Sequence, residues 1–350
     1  MNNEYDSLER QGIFITKEET TKYNYGIDLI KILAMLLVTI VHATTMSGWT
    51  TIGKTFTISN FFVGFGRMLA FCCVPLFMVT TGYLCRKKEM GLNYYKKIVK
   101  VLIEYFICSS LVYFGGIIFT EQTFNIIAMM RFVFNISNQW YVSMYIGLFL
   151  LIPFLNILYN NITTLKKKLL LLFILIIVFS LPGTCFIFSF NYWLAAYPIM
   201  YYFIGCFLSE YKCTLKKPLL FLLLVLNLLL TTCIALINIQ INVEVYCNLF
   251  CLISTVLLFM LVSDYAADRK RKIHKVCRGI ADSSLSYYIL GVICENYIFK
   301  LYCEKYSLFM FSEILPHLFF VVPVFIVSTL IIAFVINRIS IMIYKISIKF

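Results

Sequence analysis

An all-α, polytopic transmembrane helix bundle is the fold class this sequence predicts, and three observations predict it. The first is composition: 61% of the 350 residues are hydrophobic and 13% are charged, against roughly 25% charged in soluble domains, and mean hydropathy is +0.87. The second is the length of the apolar runs, which recur at about the 20 residues an α-helix needs to cross the hydrocarbon core. The third is the placing of Trp49, Trp140 and Trp193, each beside the end of an apolar run, where amphipathic rings meet the headgroups.

The apolar runs number ten, near 27–47, 60–84, 98–119, 138–159, 168–182, 191–209, 218–238, 244–263, 283–301 and 317–343. The fifth, KLLLLFILIIVFSLP, is the shortest. Short connections leave no room for a water-soluble domain between spans. The organisation expected is a cytoplasmic tail over 1–26, a membrane domain over 27–343 and a short cytoplasmic tail over 344–350. The opening stretch MNNEYDSLERQGIFITKEETTK lacks an apolar core followed by a small-residue cleavage site, so it does not read as a signal peptide.

Basic residues orient the bundle, because cytoplasmic loops carry the excess of lysine and arginine. Arg86, Lys87, Lys88, Lys96 and Lys97 fall in one loop. Same-side loops follow with Lys166, Lys167 and Lys168, with Lys212, Lys216 and Lys217, and with Arg269, Lys270, Arg271, Lys272, Lys275 and Arg278. The intervening loops hold little more than Lys54, Arg131 and Lys305 beside Glu304. Ten spans with both termini cytoplasmic satisfy this alternation. It also accounts for much of the net charge of +13: the cations are divided among short loops with no folded basic domain, which excludes a nucleic-acid partner and points to anionic membrane lipid. The 13 cysteines form no CxxC pair and lie mostly inside apolar runs, where a thiol acts as a small hydrophobe. Neither a disulfide framework nor a metal site is expected.

The first span, IDLIKILAMLLVTIVHATTM, carries three groups that hydrocarbon disfavours. Lys31 and His42 are eleven residues apart, very nearly three turns, so both project from one face about 16 Å apart along the axis. Asp28 lies one turn before Lys31, close enough to pair with it. With the amino terminus inside, Asp28 and Lys31 sit at the cytoplasmic boundary, where snorkelling anchors are as good a reading as a binding role. His42 sits in the outer half. A histidine there can be an interhelical hydrogen-bonder, but an ionisable group within a span is by default a functional hypothesis.

The spacing resembles acyltransferase family 3, the bacterial membrane O-acyltransferases. Their first span typically carries an acidic residue, an arginine three later and a histidine eleven after that; here the series is Asp28, Lys31, His42. PLFMVTTGYL, residues 75–84, is similar to the family's Pro-Leu-Phe-Phe-x-x-Ser-Gly-Tyr-Leu, with Thr81 where serine is usual, and Arg67 stands where the family often has a basic residue. QWYVSMYIGLFLLIPFLN, residues 139–156, resembles a Trp-Tyr/Phe-Leu…Pro segment of a later span. There are two departures. The family's penultimate segment commonly ends in Tyr-Leu-x-His, whereas SLSYYILGVICENYI places Gly291 after Tyr288, Ile289 and Leu290, and lysine at 31 lacks arginine's bidentate fork.

The resemblance implies transfer of an acyl group, acetyl in the first instance, from cytoplasmic acetyl-CoA to a hydroxyl of a cell-surface glycan or its lipid-linked precursor, in the bacterial inner membrane. The chemistry asks for a base and for cations near a polyanionic donor. His42 takes the acid/base role, with a covalent acyl relay as the alternative. Arg67, about 10 Å deep in the second span, is read as an oxyanion or acceptor group, or as half of a structural ion pair. Glu295 is expected to reach the same outer half and orient His42, and Glu104 to pair with Lys100. Lys31, with the 85–97 and 264–282 clusters, is the candidate for the CoA phosphates, and Asp28 is placed beside it at the cofactor end. No metal is called for. The tail after 343 is read as carrying no appended esterase-like or racemase domain. The competing class is a flippase or transporter for a lipid-linked glycan, which also needs charges within the membrane but often shows internal repeats, and none is visible. A glycan polymerase or a non-catalytic membrane partner is a further alternative.

Overall fold

The structure, a computed structural model, describes residues 14–16, 24–49, 56–120, 123–184, 191–237, 243–264, 272–308 and 311–347. Several expectations, among them Lys54, the basic run Arg269 to Arg271, most of the 183–190 connection and most of the two tails, lie outside the described residues.

The described chain is helical apart from one small ribbon. In order come α1 (Tyr25–Met46), α2 (Ile58–Ala70), α3 (Cys73–Cys85), α4 (Lys97–Thr120), α5 (Ile126–Phe134), α6 (Trp140–Asn160), α7 (Leu165–Phe179), α8 (Tyr197–Glu210), α9 (Lys217–Leu236), α10 (Leu249–Ser263), α11 (Lys272–Ala281), α12 (Ser284–Ile293) and α13 (Phe311–Ser347). Strand β1 (Phe14–Thr16) pairs antiparallel with β2 (Tyr211–Cys213), Ile15 opposite Lys212, a contact the sequence does not announce. Each of the ten apolar runs contains helix, though 244–248 precede the helix of their run and the 60–84 run is divided at Phe71–Cys72. Among the described residues, six helical stretches are long and apolar enough to cross a membrane, namely Tyr25–Met46, Ile58–Cys85, Leu92–Thr120, Trp140–Asn160, Lys217–Leu236 and Phe311–Ser347, and Leu249–Ser263 is a shorter apolar helix. Helix α13 turns Phe319, Phe320, Val324 and Ile331 outward. In water so large an apolar patch would be a liability; facing lipid, it costs nothing.

The chain forms two compact units, one of Met1–Ala34, Lys54–Glu89 and Ile152–His274, the other of Met35–Gly53, Met90–Leu151 and Lys275–Phe350. In the first, α3 packs on α8 through glycines. A Cβ at Gly82 would stand 2.0 Å from the Tyr202 carbonyl oxygen, and one at Gly205 would stand 2.1 Å from that of Val79. Lipid tails give apolar helices no reason to associate, so membrane helices rely on close packing at small residues. The stretch PLFMVTTGYL therefore builds a backbone contact. Thr81 only returns its hydroxyl to the Phe77 carbonyl at 2.8 Å. The open carbonyls at the end of α3 are met by Asn156, whose Nδ2 donates to Cys85 O at 2.8 Å and Lys88 O at 2.7 Å while its Oδ1 accepts from Tyr202 at 2.6 Å. Helix ends buried without such partners are costly.

In the second unit the buried carboxylate of Glu104 does not pair with Lys100. Ser283, the residue before α12, sends its hydroxyl back to Gly279 O, so the first turn of α12 takes its cap from another helix: Glu104 Oε1 accepts from Ser286 N at 3.1 Å and Ser286 Oγ at 2.5 Å. Asn337 of α13 donates to both Glu104 oxygens at 3.3 and 3.4 Å and to Asp282 O at 2.7 Å. A carboxylate at a helix N-terminus is favoured by the dipole and the open N–H groups, so no lysine is needed to hold this charge.

Candidate active site

Helix α1 presents His42 from the second unit, and α12 runs opposite it. Three residues before His42, the Thr39 hydroxyl meets the Tyr287 hydroxyl at 2.5 Å. One turn further, His42 Nδ1 lies 2.9 Å from Glu295 Oε2. Thr39 and His42 share a face because i and i+3 are neighbours on a helix. Tyr287 and Glu295 are eight residues apart, and the helical path between them changes pitch: after α12 the backbone continues through a π-turn over Cys294–Phe299 before resuming as Lys300–Lys305. Inserted π-turns of this kind recur at functional sites, where they re-aim a side chain. Here the widened turn begins one residue before Glu295.

The pair is asymmetric in exposure. The Glu295 side chain is 11% exposed and that of His42 37%, so the carboxylate is enclosed while part of the imidazole is open. A carboxylate on Nδ1 holds that nitrogen's proton and leaves Nε2 as the basic nitrogen. The end of α1 beyond His42 is closed by an apolar cluster of Phe299, Ile314, Leu318 and Val321, against which Ala43 and Met46 pack. The other two histidines are placed differently. His317 Nδ1 and the Tyr302 hydroxyl are 2.6 Å apart. His274 is a buried residue of α11 with its ring 4.3 Å from that of Tyr25.

Gly291, which replaces the family-like histidine, has a local role. A Cβ there would stand 3.3 Å from Glu295 Oε1, so the missing side chain leaves the carboxylate its position. Alanine is the better helix former by about 1 kcal/mol. Gly291→Ala is therefore expected to leave thermal stability unchanged or raised, yet to reduce acyl transfer about tenfold as Glu295 yields by a few tenths of an ångström, the sensitivity typical of positioned groups. Full activity in a Gly291→Ala protein of normal stability would show that the His42–Glu295 spacing tolerates that shift.

Arg67 belongs to the first unit, in the last turn of α2. It is 3% exposed, its Nε and Nη2 donate to Glu244 Oε2 at 3.3 and 3.0 Å, and its guanidinium lies 5.1 Å from the centre of the Phe71 ring. Glu244 was missed in the sequence. The signal available was that it is the only acid between Glu210 and Asp264. Asp28 is buried and Lys31 half-buried, both on the first-unit part of α1. No Asp28–Lys31 ion pair forms among the described residues. The structure thus brings His42 and Glu295 together, gives Arg67 a partner the sequence did not suggest, and leaves Lys31 without the partner it did.

A family model described as an acyltransferase domain matches residues 24–338. Comparison with curated proteins and with solved structures returns no match.

Proposed function

From this match the chain belongs to the acyltransferase family, and on that premise we propose that it is an O-acetyltransferase of the bacterial inner membrane, moving an acetyl group from cytoplasmic acyl-CoA to a hydroxyl of a cell-surface polysaccharide or lipid-linked glycan. A membrane acyltransferase is what family and apolar helices together establish. The finer reading adds ten crossings with both termini cytoplasmic, which the loop charges support.

One observation carries the chemistry: His42 is held through Nδ1 by an enclosed carboxylate while its ring stays partly open. In the proposed step Nε2 takes the proton of the acceptor hydroxyl as its oxygen attacks the thioester carbonyl. The tetrahedral intermediate collapses with breakage of the C–S bond, and the leaving CoA thiolate recovers the proton from His42. Glu295 orients the ring and stabilises the imidazolium between the two transfers, the part an acid plays beside a catalytic histidine. Asp28 and Lys31 mark the donor end of the polar stripe on α1. Arg67, its guanidinium fixed by Glu244, is an acceptor-orienting cation.

The test is direct. Membranes containing the protein, given acetyl-CoA labelled in the acetyl group, should release CoA only when a glycan acceptor is present and should accumulate base-labile acetate on that acceptor in equal amount. Acceptor movement across the bilayer without acetate transfer would overturn the reading in favour of a flippase.

A further inference from the structure

Away from His42, the first unit contains a cavity of about 410 Å³, within the roughly 300 to 1,000 Å³ range of small-molecule sites. It lies where the chain turns from α8 through β2 into α9, beside the end of α10. Leu208, Leu220 and Met260 give it an apolar lining, and Tyr211 borders it with its ring stacked on that of Phe207 at 4.8 Å. Lys212, Lys216 and Lys217 stand around it against one acid, Asp264. Lys212 is 3.9 Å from Asp264. Lys216 and Lys217 have no ion-pair partner among the described residues. Pairing of β2 with β1 braces the turn that carries Tyr211 and Lys212.

Further positive charge stands behind Tyr211. The buried Lys168 ammonium lies 5.7 Å from the centre of that ring and bonds both oxygens of Glu210 at 2.8 and 2.6 Å. Arg86 reaches the same carboxylate at 3.5 Å. Two cations sharing one acid leave an excess of positive charge beside the cavity. Lysines in a cytoplasmic loop need no role beyond topology, but topology alone does not require them to ring a cavity with an apolar floor. The combination of an apolar lining and a cationic rim fits a base bearing phosphates.

We infer that this cavity receives the phosphorylated nucleotide end of the acyl donor, the base lying against Leu208, Leu220 and Met260, the phosphates on Lys212, Lys216 and Lys217. The inference rests on the reading of acyl-CoA as donor, and it moves the phosphate contacts away from Lys31 and the 85–97 and 264–282 clusters that the sequence favoured. The ligand's phosphates distinguish it from an uncharged acyl carrier, and its base from a lipid headgroup.

The experiment uses full-length protein purified in nanodiscs of phosphatidylcholine, with CoA and dephospho-CoA as probes and equilibrium binding as the readout. Charge-assisted phosphate contacts are strong enough that replacing all three lysines in a Lys212→Gln, Lys216→Gln, Lys217→Gln protein should weaken CoA binding about tenfold or more. The corresponding triple arginine protein should bind CoA as the unmodified protein does. The unmodified protein should prefer CoA to dephospho-CoA, and the glutamine variant should lose that preference. Equal CoA affinity in the glutamine and unmodified proteins overturns the inference and leaves the proposed function standing. Loss in the glutamine variant of a response to added phosphatidylglycerol, with CoA affinity unchanged, would assign the cavity to anionic lipid and also overturn it. Absence of CoA binding by the unmodified protein would remove the donor reading itself.

Discussion

His42→Gln should lower acyl transfer by about 10² to 10⁴, the usual loss on removing a positioned acid/base, while the protein accumulates in the membrane at near-normal amounts. Glutamine keeps a side chain of similar reach with a donor that can still meet the Glu295 carboxylate, so the link between α1 and α12 is retained in kind and the neighbouring Thr39–Tyr287 contact is untouched. What glutamine cannot do is take up a proton near neutral pH. A structural histidine would therefore show itself in protein level, a catalytic one in turnover. The companion change, Glu295→Gln, leaves the imidazole in place and removes the charge that holds the Nδ1 proton. A smaller loss is expected from it than from His42→Gln, because the base itself remains. Under the proposed function, acetate released from a glycan acceptor by mild base, normalised to protein measured in the same membranes, reads both variants. Normal acetylation by a normally expressed His42→Gln protein would sink the mechanism.

How far the sequence could be read depended on the range of the interactions involved. Helices were legible because each is set by a local run of apolar residues: each of the ten runs contains helix in the structure. The pairing of His42 with Glu295 was open to anticipation because a span that must bury both a histidine and a glutamate has few other ways to satisfy them. The partners of Arg67 and Glu104 were not legible. Arg67 is answered by Glu244, 177 residues away, and Glu104 by Ser286 and Asn337, 182 and 233 residues away; no periodicity in one span reports which residue of a distant span will face it. Lys100 had seemed the natural partner of Glu104 because i, i+4 pairs are the only ones a sequence displays. The cavity beside β2 was hidden for a related reason. Its lysines are visible as charge, but the Leu208, Leu220 and Met260 floor becomes a surface only when α8, α9 and α10 meet. The π-turn at Cys294–Phe299 has no proline within it to announce it, whereas the break between α2 and α3 is signalled by Pro75, which has no N–H to offer the Phe71 carbonyl four residues back.

The glycine contact between α3 and α8 yields the largest expected effect on folding, and from a single methyl group. A Cβ at residue 205 would stand 2.1 Å from Val79 O, 2.8 Å from Tyr83 N and 2.9 Å from Val79 C. All three are backbone atoms, so no rotamer change relieves the clash and the helices must move apart by about 1 Å or more to reach ordinary contact. Overpacking a core typically costs about 1 to 3 kcal/mol when side chains can adjust; here they cannot. Separation would also strain the contact from Cys206 Sγ to Gly82 O at 3.6 Å, which crosses the same interface. Gly205→Ala is thus expected to lower the thermal midpoint strongly and to speed proteolysis in membranes, despite alanine's higher helix propensity. Gly147→Ala in α6 is the matched control, since a Cβ there meets nothing within 4 Å and only the propensity gain remains. The two substitutions are chemically identical and should move stability in opposite directions. Equal thermal midpoints for the two variants would refute the backbone contact between α3 and α8.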